Sequence, residues 1–382
     1  MQMLPAACLS AEMSFAFHRT ELNYAELVLH TASSGLVTGL DALYFILYDG
    51  EIRAAAETRL NCAYLNGHTA EALLKAALTH AARTDWTRRP SLLRAEIAAS
   101  DLPAPVRMLF DCALWDLSAR RAGVPLAHLL AGHPVSLNHA TNQTLFISSD
   151  SQFDARAEAY VARNFRDLKV RVGEDFDADY ARLGRLRDRF GADLKLAVDA
   201  NGSWTAAQAS AFIDRLADFD LTYVEQPIPP GNWDALTKLA AQASMPIMLD
   251  ESLAEPRDVD EVISRSDAAQ GKIWAHLKLI KTGGITPALT AARAFRQAGV
   301  PFMIGQMNEG GLATAAALHL ACATQPEHAE LYGADGLVDD PALGLIYQDG
   351  CVSLPTAPGL GLSFTAPCAN QPQGECIWTQ LA

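Results

Sequence analysis

Apolar and polar positions along this chain follow two rhythms. In "DLKVRVG" (167–173) apolar residues recur at every second position, which places them on one face of a β-strand. In "DADYARLGRLRDRF" (177–190) they recur every third or fourth position, the spacing of one helical face. Up to about Leu130 the two are mixed. "AELVLHTASS" and "ALYFILYDGEIRAAAETRL" read as strands, while "TAEALLKAALTHAART" and "VRMLFDCALWDLSARRAG" read as helices, the second stopped by Gly123.

From about residue 137 the rhythms take turns. Strand-like runs appear at "NQTLFIS", "DLKVRVG", "DLKLAVDAN", "LTYVEQP", "MPIMLDES", "AHLKLIK", "PFMIGQM" and "AELYGAD". Helical stretches lie between them, and Thr205 with Gln208 has capping-box spacing. Polar residues at the strand ends keep a beat: Lys169, Asp199, Glu225, Asp250 and Lys278 are separated by 30, 26, 25 and 28 positions. Each gap fits one strand–helix unit, and about eight such units close a parallel (β/α) barrel, an α/β fold of the TIM type. A barrel keeps its active site at the carboxyl ends of its strands, where these charged residues fall.

Composition narrows the function. The net charge of −14 argues against nucleic acid and anionic membrane as partners. "MQMLPAACLSAEM" lacks the basic start of a secretory signal, and no apolar run has the length of a membrane span. The seven cysteines form no C-x-x-C pair, which suits free thiols and a cytoplasmic location.

Three carboxylates, Asp199, Glu225 and Asp250, end three consecutive strands. The bland reading is that each caps the helix that follows. Gathered at one mouth they would repel, and a hard divalent cation answers that repulsion while leaving about half of an octahedral Mg²⁺ shell open. Lys169 and Arg171 flank the acids on one side and Lys278 on the other. An inward lysine near other cations has its pKa lowered towards neutrality and serves as a base. The array suits removal of a proton next to a metal-bound carboxylate.

At these residues the chain resembles the enolase superfamily, and within it the muconate lactonizing enzyme and mandelate racemase-like subgroup. The resemblance rests on "ALWDLSARRAGVPLAHLLAG", "KVRVG", "VDANGSWT", "VEQPI", "LDES", "LKLIKTGGIT", "GQMNEGGLATAAALHLA" and "LPTAPGLGL", in that order. It implies a modified (β/α)₇β barrel over residues 131–343, capped by an α+β domain built from residues 1–130 and from a returning segment, 344–382. It further implies one Mg²⁺ per site on Asp199, Glu225 and Asp250, with Asn201 and Glu251 steadying the ligands, and a homo-oligomer. Lys278 matches the sixth-strand acid–base lysine, and Lys169 matches the lysine set against the substrate carboxylate.

Two departures shape the functional expectation. Arg171 stands where the subgroup carries its second base, and a guanidinium stays protonated. On the eighth strand the D-x-D of dipeptide epimerases reads Gly333-Ala334-Asp335, with only Asp335 matched. The expectation is therefore an enzyme that abstracts the α-proton of a small carboxylate to give a metal-stabilised enolate. With one lysine base, dehydration of a hydroxy acid (a hydroxyproline-type substrate suits) or cycloisomerisation comes first. A racemase or epimerase of an amino-acid derivative is the alternative, and a carboxylate-sensing pseudoenzyme the non-catalytic one. Tyr24 and Tyr64 fall in stretches where the family places specificity loops. His276 reads as packing or support for a ligand. Glu309 reads equally as a substrate contact or as an organiser of the seventh loop, and His319 as buried.

Overall fold

The alternating runs of the second half become eight parallel strands in chain order: Gln143–Leu145, Asp167–Arg171, Lys195–Asp199, Val224–Glu225, Ile247–Leu249, Ile273–Lys278, Phe302–Gly305 and His328–Glu330. These are the first to eighth barrel strands of a computed structural model that describes residues 13–25, 29–31, 35–173, 175–367 and 374–380. The ring closes where Asn142 N, just before the first strand, donates to Ala329 O of the eighth at 3.0 Å. Parallel neighbours need crossovers. Seven helices supply them, from Asp150–Ala162 after the first strand to Gly311–Thr324 after the seventh, which gives the expected (β/α)₇β order.

Sequence explains the layering. On the second strand Leu168 and Val170 pack outward into the apolar core, so Lys169 and Arg171 point into the barrel. Thr205 and Gln208 do form a capping box at the start of helix Ala206–Leu216. The helix Gly311–Thr324 is buried along most of its length, as its nearly continuous apolar sequence requires.

The cap is a four-stranded antiparallel sheet ordered Gly374–Gln380, Met13–Leu22, Leu40–Asp49, Ile52–Arg59. Helices Ala70–Arg83, Pro90–Ala98 and Ala104–Ala122 accompany it; the last ends at Gly123, whose φ of 67° is the left-handed cap conformation. Phe15, Phe17, Phe45, Trp86 and Phe110 form its aromatic centre. Helix Ala104–Ala122 also packs against the barrel, where Thr286 N donates to Asp111 Oδ2 at 2.9 Å. The run "AELVLHTASS" contributes Leu29–Thr31, which pairs with Gly35–Val37; residues 26–28 and 32–34 lie outside the described residues. So do most of the N-terminal run and much of "PCANQPQGE". Among the described residues no helix is long and apolar enough to cross a membrane, and five cysteines are free thiols.

Candidate active site

Strand register gathers the charged side chains. Arg171 pairs with Asp199 and Asp199 with Glu225, while Lys278 pairs with Gly305 and Gly305 with Glu330. Asp250 follows the fifth strand directly. The second and sixth strands stand opposite each other in an eight-strand ring, so Arg171 and Lys278 face the centre from opposite sides. Above this layer opens a cavity of about 310 Å³, with Arg171, Asp250, Lys278 and Lys281 on its barrel wall and Val37 and Tyr64 on its cap wall.

The ion pairs are close and almost dry. Lys278 Nζ donates to Asp250 Oδ2 at 2.6 Å and lies 3.4 Å from Met307 Sδ. Lys281 Nζ bonds both the carboxylate and the backbone carbonyl of Asp250. Lys169 Nζ lies 3.0 Å from Glu225, 3.3 Å from Asp199, and in contact with Glu330. Arg171 Nη1 contacts Asp199 and donates to Asn201 Oδ1 at 3.0 Å. Asn201 Nδ2 passes the chain on to Glu251 Oε1 at 3.1 Å.

These neighbours set the ionisation. Burial pushes the Asp250 carboxyl up, but Lys278 and Lys281 outweigh it and hold the group well below the usual carboxylate range. Burial likewise opposes charge on Glu330, yet the ammonium groups of Lys169 and Lys278 hold it at about 2. Glu251 lacks such a partner; burial, then the charges of Asp250 and Asp199, raise it to about 7. Burial would lower the Lys278 ammonium, but Asp250, Glu330 and Glu225 raise its pKa above the ordinary value. This corrects the expectation of a depressed lysine, because its nearest neighbours are carboxylates rather than cations.

The structure sorts the other residues singled out from sequence. Tyr64 lines the cavity. Tyr24 is set back: it donates to Gly333 O and accepts from Asn308 Nδ2 at 3.0 Å, tying two loops together. Glu309 accepts from Met307 N at 3.1 Å within the seventh loop. Lys169 lies beneath the cavity with its side chain fully buried. His276 is also wholly buried, with Nδ1 at 3.0 Å from Glu225 Oε1, and burial followed by Lys278 keeps its ring well below the usual histidine pKa. His319 is buried, accepting from Ala127 N at 3.1 Å.

Asp335 is not at the mouth. It pairs with Arg163 at 2.8 Å and accepts from Gln143 at 2.9 Å. The eighth-strand acid is Glu330, five residues earlier. Two further residues escaped the sequence reading. Lys281 sits one helical turn past Lys278, and Gln226 Oε1 accepts from Asp250 N and Ser252 N at 3.2 and 3.0 Å, which fixes the fifth loop.

The donor set suits a divalent cation. Ligand atoms of Glu225, Asp250 and His276 lie within 4.8 Å of one another and all three residues are buried. Glu251 Oε2 and Glu330 Oε1 are buried without hydrogen-bond partners, so acceptor capacity remains.

A parallel barrel with a capping sheet and a mouth of paired acids and cations defines an enolase-type architecture, and the comparisons agree. Residues 152–367 match the family described as enolase C-terminal domain-like. The L-Lys-D/L-Arg epimerase of Methylococcus capsulatus is 34% identical over 311 residues, 79% of this chain and 85% of its own. The L-Ala-D/L-Glu epimerase of Bacillus subtilis is 32% identical over 66% of this chain and 69% of its own. The crystal structure of a dipeptide epimerase from Enterococcus faecalis, complexed with Mg and L-Leu-L-Tyr, superposes with a TM-score of 0.83 at 27% identity, covering 92% of this chain and 99% of that one. The chain belongs to the enolase superfamily, in its mandelate racemase and muconate lactonizing enzyme group.

Proposed function

We propose that this protein is a Mg²⁺-dependent isomerase that removes and returns the α-proton of a small amino-acid-derived carboxylate, a racemase or epimerase. The observation that carries the reading is Lys278: its Nζ lies on the cavity wall, opposite Arg171 across the barrel, beside an acid cluster that suits a divalent cation. The similar proteins named above are epimerases, which favours this reading over the dehydration expected from Arg171 alone.

Asp199, Glu225 and Asp250 are the carboxylates expected to hold the cation, with Asn201 and Glu251 supporting them. A bound divalent cation supplies positive charge against the negative charge that develops when the α-proton leaves. Lys278 takes that proton; a bound cation would offset the carboxylates that hold its ammonium charged and so let it act as the free amine. Arg171 donates hydrogen bonds on the opposite face, where a solvent water returns the proton to the α-carbon while the guanidinium stays protonated. Lys169 and Lys281 hold the acids in place from beneath and beside them. Leu29, Val37 and Leu65 of the cap give an apolar wall to the substrate side chain.

Arg171 also supports a second reading. A guanidinium does not deliver the second proton, so elimination of water or cycloisomerisation through Lys278 alone fits that residue. One experiment separates the readings. Dipeptides, N-acyl amino acids and hydroxy acids are incubated with enzyme and Mg²⁺ in D₂O and followed by NMR. Epimerisation gives α-deuteration together with the inverted isomer. Loss of water without inversion supports the second reading. No exchange with any of them would sink both and leave a binding protein.

A further inference from the structure

Arg59 ends the cap strand Ile52–Arg59, is 2% exposed, and still borders the cavity. Its Nε donates to Asn61 Oδ1 at 2.8 Å and its Nη2 to Asn61 O at 3.2 Å. Its Nη1 reaches the seventh barrel loop, donating to Met307 O at 3.1 Å and to Asn308 O at 3.4 Å. These bonds leave one N–H of the five-donor guanidinium, on Nη2, uncommitted. Every acceptor is a neutral amide oxygen. Among the described residues no carboxylate lies within ion-pair distance of Arg59, whereas Arg171, Lys278 and Lys281, the other cations on the cavity wall, each have one. Glu309 feels the charge of Arg59, but burial raises its carboxyl and its Oε1 stays without a partner. The acids that line the cavity, Asp250 and Glu251, stand at the end expected to hold the cation, and Asp250 already serves two lysines. A buried charge is costly unless it is paired.

We infer that Arg59 determines specificity by taking a second carboxylate of the substrate, remote from the reacting one. The inference rests on the isomerase reading above and names its substrate class: an amino-acid derivative with two carboxylates. The first is the carboxylate next to the α-proton that Lys278 removes. The second extends on a short apolar stem along the cap wall of Leu29, Val37 and Leu65. It ends at the uncommitted N–H of Arg59, where it supplies the counter-charge that the fold withholds. The ring of Tyr64, centred 6.0 Å from the guanidinium carbon, borders the same end of the cavity.

The remote carboxylate can come from an acidic side chain or from an N-acyl group, and two isosteric pairs separate these sources. They are L-Ala-L-Glu against L-Ala-L-Gln, and N-succinyl-L-Leu against N-succinamyl-L-Leu. Isothermal titration calorimetry with Mg²⁺-loaded protein gives each Kd, and NMR in D₂O reads α-proton exchange separately. In at least one pair the acid should bind about tenfold or more tighter than its amide, the scale of a hydrogen bond to a charged group. Arg59→Gln should bring that ratio close to one, and Arg59→Lys, which keeps the charge, should retain part of it. Equal affinity or no binding in both pairs would overturn the inference, as would a preference that survives in Arg59→Gln. Should neither variant fold, a crystal structure of the wild-type complex decides, and a remote carboxylate lying away from Arg59 counts against it. Acid preference without any α-proton exchange would overturn the isomerase reading and leave the role of Arg59 standing.

Discussion

Arg171 and Lys278 carry the same charge into the same cavity, yet only one of them can exchange it. Replacing Lys278 with Ala should slow α-proton exchange by about two orders of magnitude or more, the weight of a positioned general base. NMR of the substrate in D₂O reads this directly, and near-normal exchange would remove Lys278 from the proton path. Arg171→Lys installs an amine of adjustable pKa where a fixed donor stood. It should raise the ratio of inversion to exchange, measured on one enantiomer by chiral separation; an unchanged ratio would show that the second face is served from elsewhere. At this scale the sequence was legible wherever a residue ended a strand on the beat. Glu330 obeys that beat, 25 positions after Gly305, but "AELYGAD" holds two acids and spacing alone does not choose between them. Strand pairing decides between them, because the ladder stops at Glu330 and Asp335 falls in the turn that follows. Lys281 gave no such signal: it lies on the short helix Leu279–Thr282, and only the backbone turn brings its amine to Asp250.

Among the elements, the seven crossover helices followed from the alternation of periods, and the short barrel strands from apolar runs ended by charge. What sequence did not reveal is how helix Gly311–Thr324 is anchored to the cap side, since its faces are nearly all apolar. His319 supplies the anchor by accepting from Ala127 N of helix Leu126–Ala131. Burial lowers this ring from 6.5 to about 4, so the neutral form is favoured in the fold. Its stabilising contribution is complete above pH 6.5 and is lost as pH falls towards 4. That window corresponds to about 3 kcal/mol. His319→Gln keeps an acceptor without the titration, and denaturant melts between pH 4 and 7 should show a flatter acid side than wild type. An identical slope would place the acid sensitivity in other groups.

For the molecule as a whole, the net charge of −14 conceals a core that is close to balanced: Lys169, Arg171, Lys278 and Lys281 are interleaved with Asp199, Glu225, Asp250 and Glu330. Such a cluster stands without a cation, so chelation should abolish exchange activity while leaving the protein folded. Saturating metal at a hundredfold excess over its Kd adds about 2.7 kcal/mol by mass action, a shift of a few degrees in Tm. Differential scanning fluorimetry with and without EDTA checks this, and unfolding on chelation would contradict it. The cap sheet has an order of its own. Its strand Met13–Leu22 lies between Leu40–Asp49 and Gly374–Gln380, so one neighbour is made almost at once and the other some 350 residues later. During synthesis on the ribosome the whole barrel is translated while one edge of Met13–Leu22 still waits for its partner. An unpaired edge of that kind invites pairing with another chain. The nascent protein therefore passes through a long interval in which crowding of neighbouring polysomes, or protection by a chaperone, decides between a finished cap and an aggregate.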